Sequence, residues 1–245
     1  MPFVLLFVTF VIQMFPRILP AGDTALVVEF GDRIDPQIHH QVLALARALE
    51  REPFPGLRET VPTYRSLLVY YDPRQLLWDE ARREVAGALE RSAEIPLPEP
   101  KEIEIPVAYG GEFGPDIGFV AAHNGLSEAD VVRLHAGSTY TVYMLGFAPG
   151  FVYLGGLPEA LATPRLPTPR PSVPAGSVGI AGPQTGIYGL STPGGWRLIG
   201  RTPMPMLDLR RQPPTPLQPG DRVRFIPISA EEFAAWQGSH GAGSP

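Results

Sequence analysis

Gly146 to Pro203 reads GFAPGFVYLGGLPEALATPRLPTPRPSVPAGSVGIAGPQTGIYGLSTPGGWRLIGRTP. The stretch holds twelve of the chain's 26 glycines and ten of its 30 prolines, yet it is not low-complexity. Phe147, Phe151, Tyr153, Tyr188 and Trp196 are interleaved with Arg165, Arg170, Arg197 and Arg201 and with short β-branched runs. A disordered Pro/Gly segment lacks such large apolar groups because it builds no core. Glycine where the backbone turns or is closely approached, and proline where a loop is stiff, predict a surface of ordered loops. Ordered loops on a rigid scaffold are where sites concentrate.

Around these loops the chain alternates short strands with turn signals. Thr139 to Leu145 (TYTVYML), Ser177 to Ala181, Gly186 to Leu190, Trp196 to Thr202 and Arg222 to Ile228 are predicted strands. Pro219 to Asp221 turns the chain into the last of them. That pattern predicts a mostly β barrel. Ser127-Glu128-Ala129-Asp130 resembles a capping box and starts a short helix that Gly137 ends.

Upstream the periodicities change. Ala25 to Phe30 reads as a strand, and Asp35-Pro36 supplies a cap and a first-turn proline. Ile38, Val42, Leu45 and Leu49 then mark one helix face. Leu57 to Pro62 and Ser66 to Tyr71 are strands; Asp72-Pro73 repeats the cap device before a second helix with Leu77, Ala81, Val85 and Leu89 on its buried stripe. Closed by Glu102 to Val107, this order predicts an α+β sandwich of the split βαβ, ferredoxin-like kind. The proline-punctuated Ile95 to Lys101 is the expected boundary. The expected domains are an N-terminal extension 1–16, a sandwich 17–97, a barrel 98–237 and a flexible tail 238–245. Residues 1–15 are nearly all apolar but shorter than the roughly 20 a membrane helix needs, and they lack a signal peptide's basic start. An extension is expected there, not an anchor.

Composition narrows the function classes. Hydrophobic content of 44% with 18% charged residues describes a globular chain with a core. A net charge of −5 without a basic stripe argues against nucleic acid. The absence of cysteine removes disulfides, thiolate metal sites and thiol nucleophiles. Lys101 is the only lysine and no Gly-Lys pair exists, so there is no P-loop. His39 and His40 are adjacent and share no helix face, and no metal site is expected.

GFAPGFVYLGGLP, TPRLPTPRPSVPAGSVGIAG, QTGIYGLSTPGGW and LIGRTP resemble the signature blocks of the KipI / allophanate hydrolase subunit 1 family. YGGEFGPD, LHAG and PRILPAGDTALVVEFGD extend the likeness over most of Arg17 to about Pro227. The resemblance implies a cyclophilin-like second domain. It also implies a cytoplasmic B subunit of an ATP-dependent 5-oxoprolinase, working with a KipA-type C subunit and with the A subunit. ATP with Mg2+ would be used in the assembled complex. Two other readings stay open: a KipI-type inhibitor that binds a sensor histidine kinase, and a carboxyltransferase-related subunit of a urea or allophanate system.

The candidate residues follow from both lines. Arg165, Arg170 and Arg201 carry guanidinium forks that match a carboxylate or phosphate, or else they brace loop carbonyls. Arg170 and Arg201, with His135 at a family-like position, are the catalytic candidates. Phe147, Phe151, Tyr153, Tyr188 and Trp196 are pocket or core, with the Gly150 amide as a polar contact. Gln184 and Thr185 lie on a glycine-flanked turn suited to orienting a lactam or carboxylate. Ser177 in AGSVG resembles a nucleophile elbow without the helix that motif requires, so a ligand contact is the better reading.

Overall fold

The computed structural model describes residues 15–241. Most of the expected N-terminal extension and the last four residues of the expected tail lie outside them. The described residues divide into two compact units that meet between Pro96 and Leu97.

In the first unit, β1 (Arg17–Pro20), β2 (Ala25–Glu29), β3 (Leu57–Pro62) and β4 (Ser66–Tyr71) form an antiparallel sheet in the order β1-β2-β4-β3. Leu26, Val28, Leu67 and Val69 alternate onto one face and pack with Val42, Leu45 and Leu49 of α1 (Pro36–Arg51). Ala81 and Val85 of α2 (Trp78–Ser92) join the same core. Asp35 caps α1 as expected, accepting from the Gln37 amide at 2.8 Å. Three expectations are corrected. The fourth strand of the sandwich is not Glu102 to Val107; the edge beside β2 is filled by the preceding β1, and Glu102 starts a barrel strand. Leu77 is exposed and precedes the helix, so it is not on the buried stripe. Asp72 does not cap α2, whose first turn starts after Leu77. Its carboxylate instead accepts from the Arg74 amide and from the Arg74 and Arg58 side chains, which holds a turn there.

In the second unit, seven strands close a barrel in the order β10-β7-β6-β13-β5-β12-β9. They are β5 (Glu102–Tyr109), β6 (Thr139–Leu145), β7 (Val152–Gly155), β9 (Ser177–Ala181), β10 (Gln184–Ile187), β12 (Arg197–Arg201) and β13 (Arg222–Ile228). Only β13 and β5 run parallel. β8 (Arg170–Val173) and β11 (Thr192–Gly194) pair as a separate ribbon. Three helices accompany the barrel: α3 (Ile117–Asn124), α4 (Glu128–Ala136) and α5 (Ala230–Gly241). Helix α5 covers part of the segment expected to be a flexible tail. Period-2 alternation decides what each strand offers to each side. Val152, Leu154, Val178, Ile180 and Ile187 point into the barrel core with Ile105, Val107, Tyr140 and Phe225. Each such side chain contributes about 1.5–3 kcal/mol through burial. The intervening Phe151 and Tyr153 belong to a second cluster with Tyr188, Trp196, Val173 and Leu198.

Candidate functional site

That second cluster opens into a cavity of about 290 Å³. Phe147, Phe151, Tyr153, Arg165, Tyr188 and Trp196 line it, together with Pro169, Pro193, Gly194 and Gly195. The sequence points to the six named first and not to the proline and glycine walls. The rings lock one another. Phe151 is the hub, with centroids 4.6 Å from Tyr153, 4.8 Å from Tyr188 and 5.4 Å from Trp196, the last two edge-on. Such T-shaped pairs are favoured by the ring quadrupole and each adds about 0.5–1.5 kcal/mol.

Glycine makes room for these rings. Gly186 lies opposite Tyr153 in the ladder. A Cβ on Gly186 would stand 2.7 Å from the Val152 carbonyl and 3.0 Å from the Trp196 ring. A Cβ on Gly194 would stand 2.3 Å from the Tyr188 hydroxyl. Gly150 and Gly189 let the two loops that carry Phe147 and Tyr188 cross backbone against backbone. Gly150 thus acts on the pocket from behind it, outside the lining.

Phe147 guards the mouth and is 68% exposed. Its φ is +66°, alone among the described non-glycine residues in being positive. The Ala148 amide donates to the Gly146 carbonyl at 2.8 Å, so Phe147 is the centre of the rare, strained form of γ-turn. Strain of about 1–3 kcal/mol of this kind persists where the surroundings impose it, and it clusters at ligand clamps.

The three candidate arginines separate by partner. Arg170 donates to Asp116 at 2.8 Å and to the Trp196 carbonyl at 3.4 Å. Arg201 donates to the Ala175 carbonyl at 2.8 Å. Both brace loops, and neither lines the cavity. Arg165 is exposed, lies over the Trp196 ring at 5.8 Å and has no carboxylate partner among the described residues. It is the cation the cavity offers. Burial pushes the Tyr153 and Tyr188 phenols above their ordinary value, so both remain protonated hydrogen-bonding groups at neutral pH.

His135, the third catalytic candidate, lies outside the cavity lining. It is 0% exposed and sits in the barrel core, with its ring 4.5 Å from Phe225. Nδ1 is 2.8 Å from the Tyr109 hydroxyl and Nε2 is 3.0 Å from Thr185 Oγ1. Thr185 spends its one proton on the Gly179 carbonyl. Nε2 must therefore donate to Thr185, and Nδ1 accepts from Tyr109. Burial lowers the pKa of this neutral imidazole to about 3. Thr185 is used up in that network, and Ser177 is buried on β9 with no helix following it. Gln184, on the adjoining strand, does not line the cavity.

A larger concavity of about 710 Å³ lies in the first unit, lined by Arg58, Tyr70, Asp72 and Arg74 among others. There both arginines already share Asp72, and hydrogen bonds from Arg74 and then Arg58 hold its carboxyl far below the usual range. No cluster of three or more His, Asp or Glu able to hold a metal occurs among the described residues. No helix among them is long and apolar enough to cross a membrane.

The sequence profile of the carboxyltransferase domain, subdomain C and D, matches residues 16–217. The 5-oxoprolinase B subunit of Bacillus subtilis (strain 168) is 45% identical over 226 residues, covering 88% of this chain and 94% of that protein. The 5-oxoprolinase B subunit of Escherichia coli O157:H7 is 47% identical over 212 residues, covering 84% and 93% respectively. The crystal structure of TTHA0988 superposes with a TM-score of 0.74 at 42% identity. The match covers 84% of this chain and 40% of that one, so the chain spans less than half the length of that relative.

Proposed function

Because the chain belongs to the carboxyltransferase domain, subdomain C and D, family, and to its 5-oxoprolinase B-subunit branch, we propose that it supplies the substrate-holding part of an ATP-dependent 5-oxoprolinase. The observation that carries this reading is the aromatic-walled cavity with Arg165 at its side and no acid in its lining. 5-Oxoproline is a small planar lactam with one carboxylate. Aromatic faces suit its ring, and an arginine fork suits its carboxylate. The phenols of Tyr153 and Tyr188 are within the cavity to hydrogen-bond the lactam amide.

The chemistry divides between this chain and its partners. The lactam oxygen attacks the γ-phosphorus of ATP and ADP leaves. Water adds to the activated carbon, the ring C–N bond breaks, and phosphate and glutamate are released. Phosphoryl transfer of this kind needs positioning and charge neutralisation above all. The cavity lining contains no Asp, Glu, His or Lys, so it holds the substrate without a general base. The base and the nucleotide site then come from the KipA-type C subunit and from the A subunit. Mg2+ would enter with the ATP phosphates, its usual ligands, and needs no cluster of acids in this chain. We place the complex in the cytoplasm, where ATP is supplied.

The test is ATP hydrolysis by this chain mixed with the A and C subunits, with and without 5-oxoproline. Stimulation by 5-oxoproline with stoichiometric glutamate supports the reading. An assembled complex with no stimulation overturns it. A second reading, a protein-binding module of the KipI type, is favoured by one observation: Phe147 is displayed to solvent on a strained turn. Binding of a sensor histidine kinase that 5-oxoproline leaves unchanged would support that alternative.

A further inference from the structure

We infer that Asp116 is a positioning residue for the cavity, acting through Arg170 and Trp196. The inference rests on the substrate-holding role proposed above. Asp116 sits where the loop before α3 crosses β12. Its amide donates to the Leu198 carbonyl at 2.9 Å, and its Oδ2 accepts from the Leu198 amide at 2.7 Å. This pair of hydrogen bonds to one residue fixes the backbone two positions beyond Trp196. Gly114 permits the crossing, since a Cβ there would stand 2.0 Å from the Ile199 carbonyl.

The other carboxylate oxygen of Asp116 reaches away from β12. Oδ1 accepts from Arg170 at 2.8 Å, and the second Arg170 nitrogen donates to the Trp196 carbonyl. Arg170 starts β8, directly after the lining residue Pro169, and pairs with the lining residue Gly194 across the ribbon. One side chain therefore ties the ribbon wall of the cavity to the strand that follows the Trp196 wall. The side chains of Arg170 and Asp116 are 27% and 10% exposed, so the pair is shielded enough to hold its geometry. Charge-assisted bonds of this kind are the short, strong ones. Without the strut, Pro169 and Trp196 lose their fixed separation, and the ring of Trp196 under Arg165 moves with them.

The test uses Asp116→Asn and Arg170→Met in the full chain, assembled with its partner subunits. Asn keeps its one oxygen for the Leu198 amide and turns its NH2, a donor, toward the Arg170 donor, so the fold is retained while the strut is cut. Each variant is expected to raise the KM for 5-oxoproline at least about tenfold with kcat within about twofold, the signature of lost binding geometry. The double variant should be no worse than either single one, because both cut the same link. A second readout needs no substrate. In a Trp78→Phe, Trp236→Phe background, acrylamide quenching of Trp196 should rise in both variants. Unchanged KM and unchanged quenching overturn the inference, as do effects that add in the double variant. If the wild-type complex does not turn over 5-oxoproline, the functional reading falls, and the quenching series alone decides whether the strut exists.

Discussion

Lowering the pH from 7 to 4 should remove about 3 kcal/mol of stability from the barrel unit through His135 alone. The folded imidazole titrates at about 3 because burial penalises its charged form. The unfolded group titrates near its ordinary value of 6.5. Between those values the unfolded chain binds one more proton than the folded one, so stability falls as pH falls. The contribution is fully present above pH 6.5 and is lost toward pH 3. At ~1.4 kcal/mol per pH unit, the loss is about 2 kcal/mol at pH 5 and about 3 kcal/mol at pH 4. The geometry supports the sign independently. A proton on Nδ1 would face the Tyr109 hydroxyl, which donates there, and among the described residues no carboxylate is bonded to the ring. Tyr140 approaches the ring too, but its hydroxyl is spent on the His135 carbonyl. Urea unfolding followed by Trp196 fluorescence in the Trp78→Phe, Trp236→Phe background, with His135 kept (here the wild type) and with His135→Gln, between pH 7.5 and 4, isolates this contribution from the carboxylates common to both. The wild type should be the steeper by the stated amounts. Parallel pH curves for the two proteins would rule out His135 as the source of the loss.

Other perturbations test the cavity. Gly186→Ala puts a methyl 2.7 Å from a backbone carbonyl that cannot swing aside, and should cost about 1–3 kcal/mol in a urea titration while weakening substrate binding. Phe147→Gly relieves the strain of the γ-turn, because glycine, with no Cβ, adopts positive φ freely. It should leave Tm equal or higher, by up to about 1 kcal/mol of stability, yet raise the KM for 5-oxoproline; a clear loss of stability with unchanged KM would count against the clamp. Arg201→Met, which removes a loop brace away from the cavity, should lower Tm with little change in KM, the reverse of Arg165→Met.

Much of the architecture was legible where one physical rule dominates. The strands Leu57–Pro62, Ser66–Tyr71, Thr139–Leu145, Ser177–Ala181 and Arg222–Ile228 fall where β-branched and aromatic runs meet turn residues. The ladder of β10 starts earlier than expected, at Gln184, because the Gly182-Pro183 turn pairs Gln184 with Ala181. Helix α3 (IGFVAAHN) escapes sequence reading because its apolar residues follow no clean 3.6 period; Gly125 at φ +67° ends it. The placement of β1 at the sandwich edge is a competition between two segments, and local pattern does not decide that.

The cavity is visible as composition, since interleaved aromatics and glycines leave few other ways to pack. What separates one arginine from another is not visible. Arg165 and Arg170 occur in the same TPR tripeptide, and only Asp116, 54 positions away, distinguishes them. His135 reads locally as a helix C-terminal cation, but Thr185, 50 positions on, draws it into the core as a neutral group. Pairings over such distances come from barrel closure and leave no trace in local sequence.

Whether Arg165 and the aromatic walls hold the 5-oxoproline carboxylate is decided by glutamate release from 5-oxoproline and ATP. The assembled three-subunit complex is assayed with the wild-type chain and with Arg165→Met. The wild type should release glutamate, and the variant's KM for 5-oxoproline should rise about tenfold to a hundredfold, the loss of one charge-assisted pair. No glutamate from the wild-type complex, or an unchanged KM in Arg165→Met, would contradict that role.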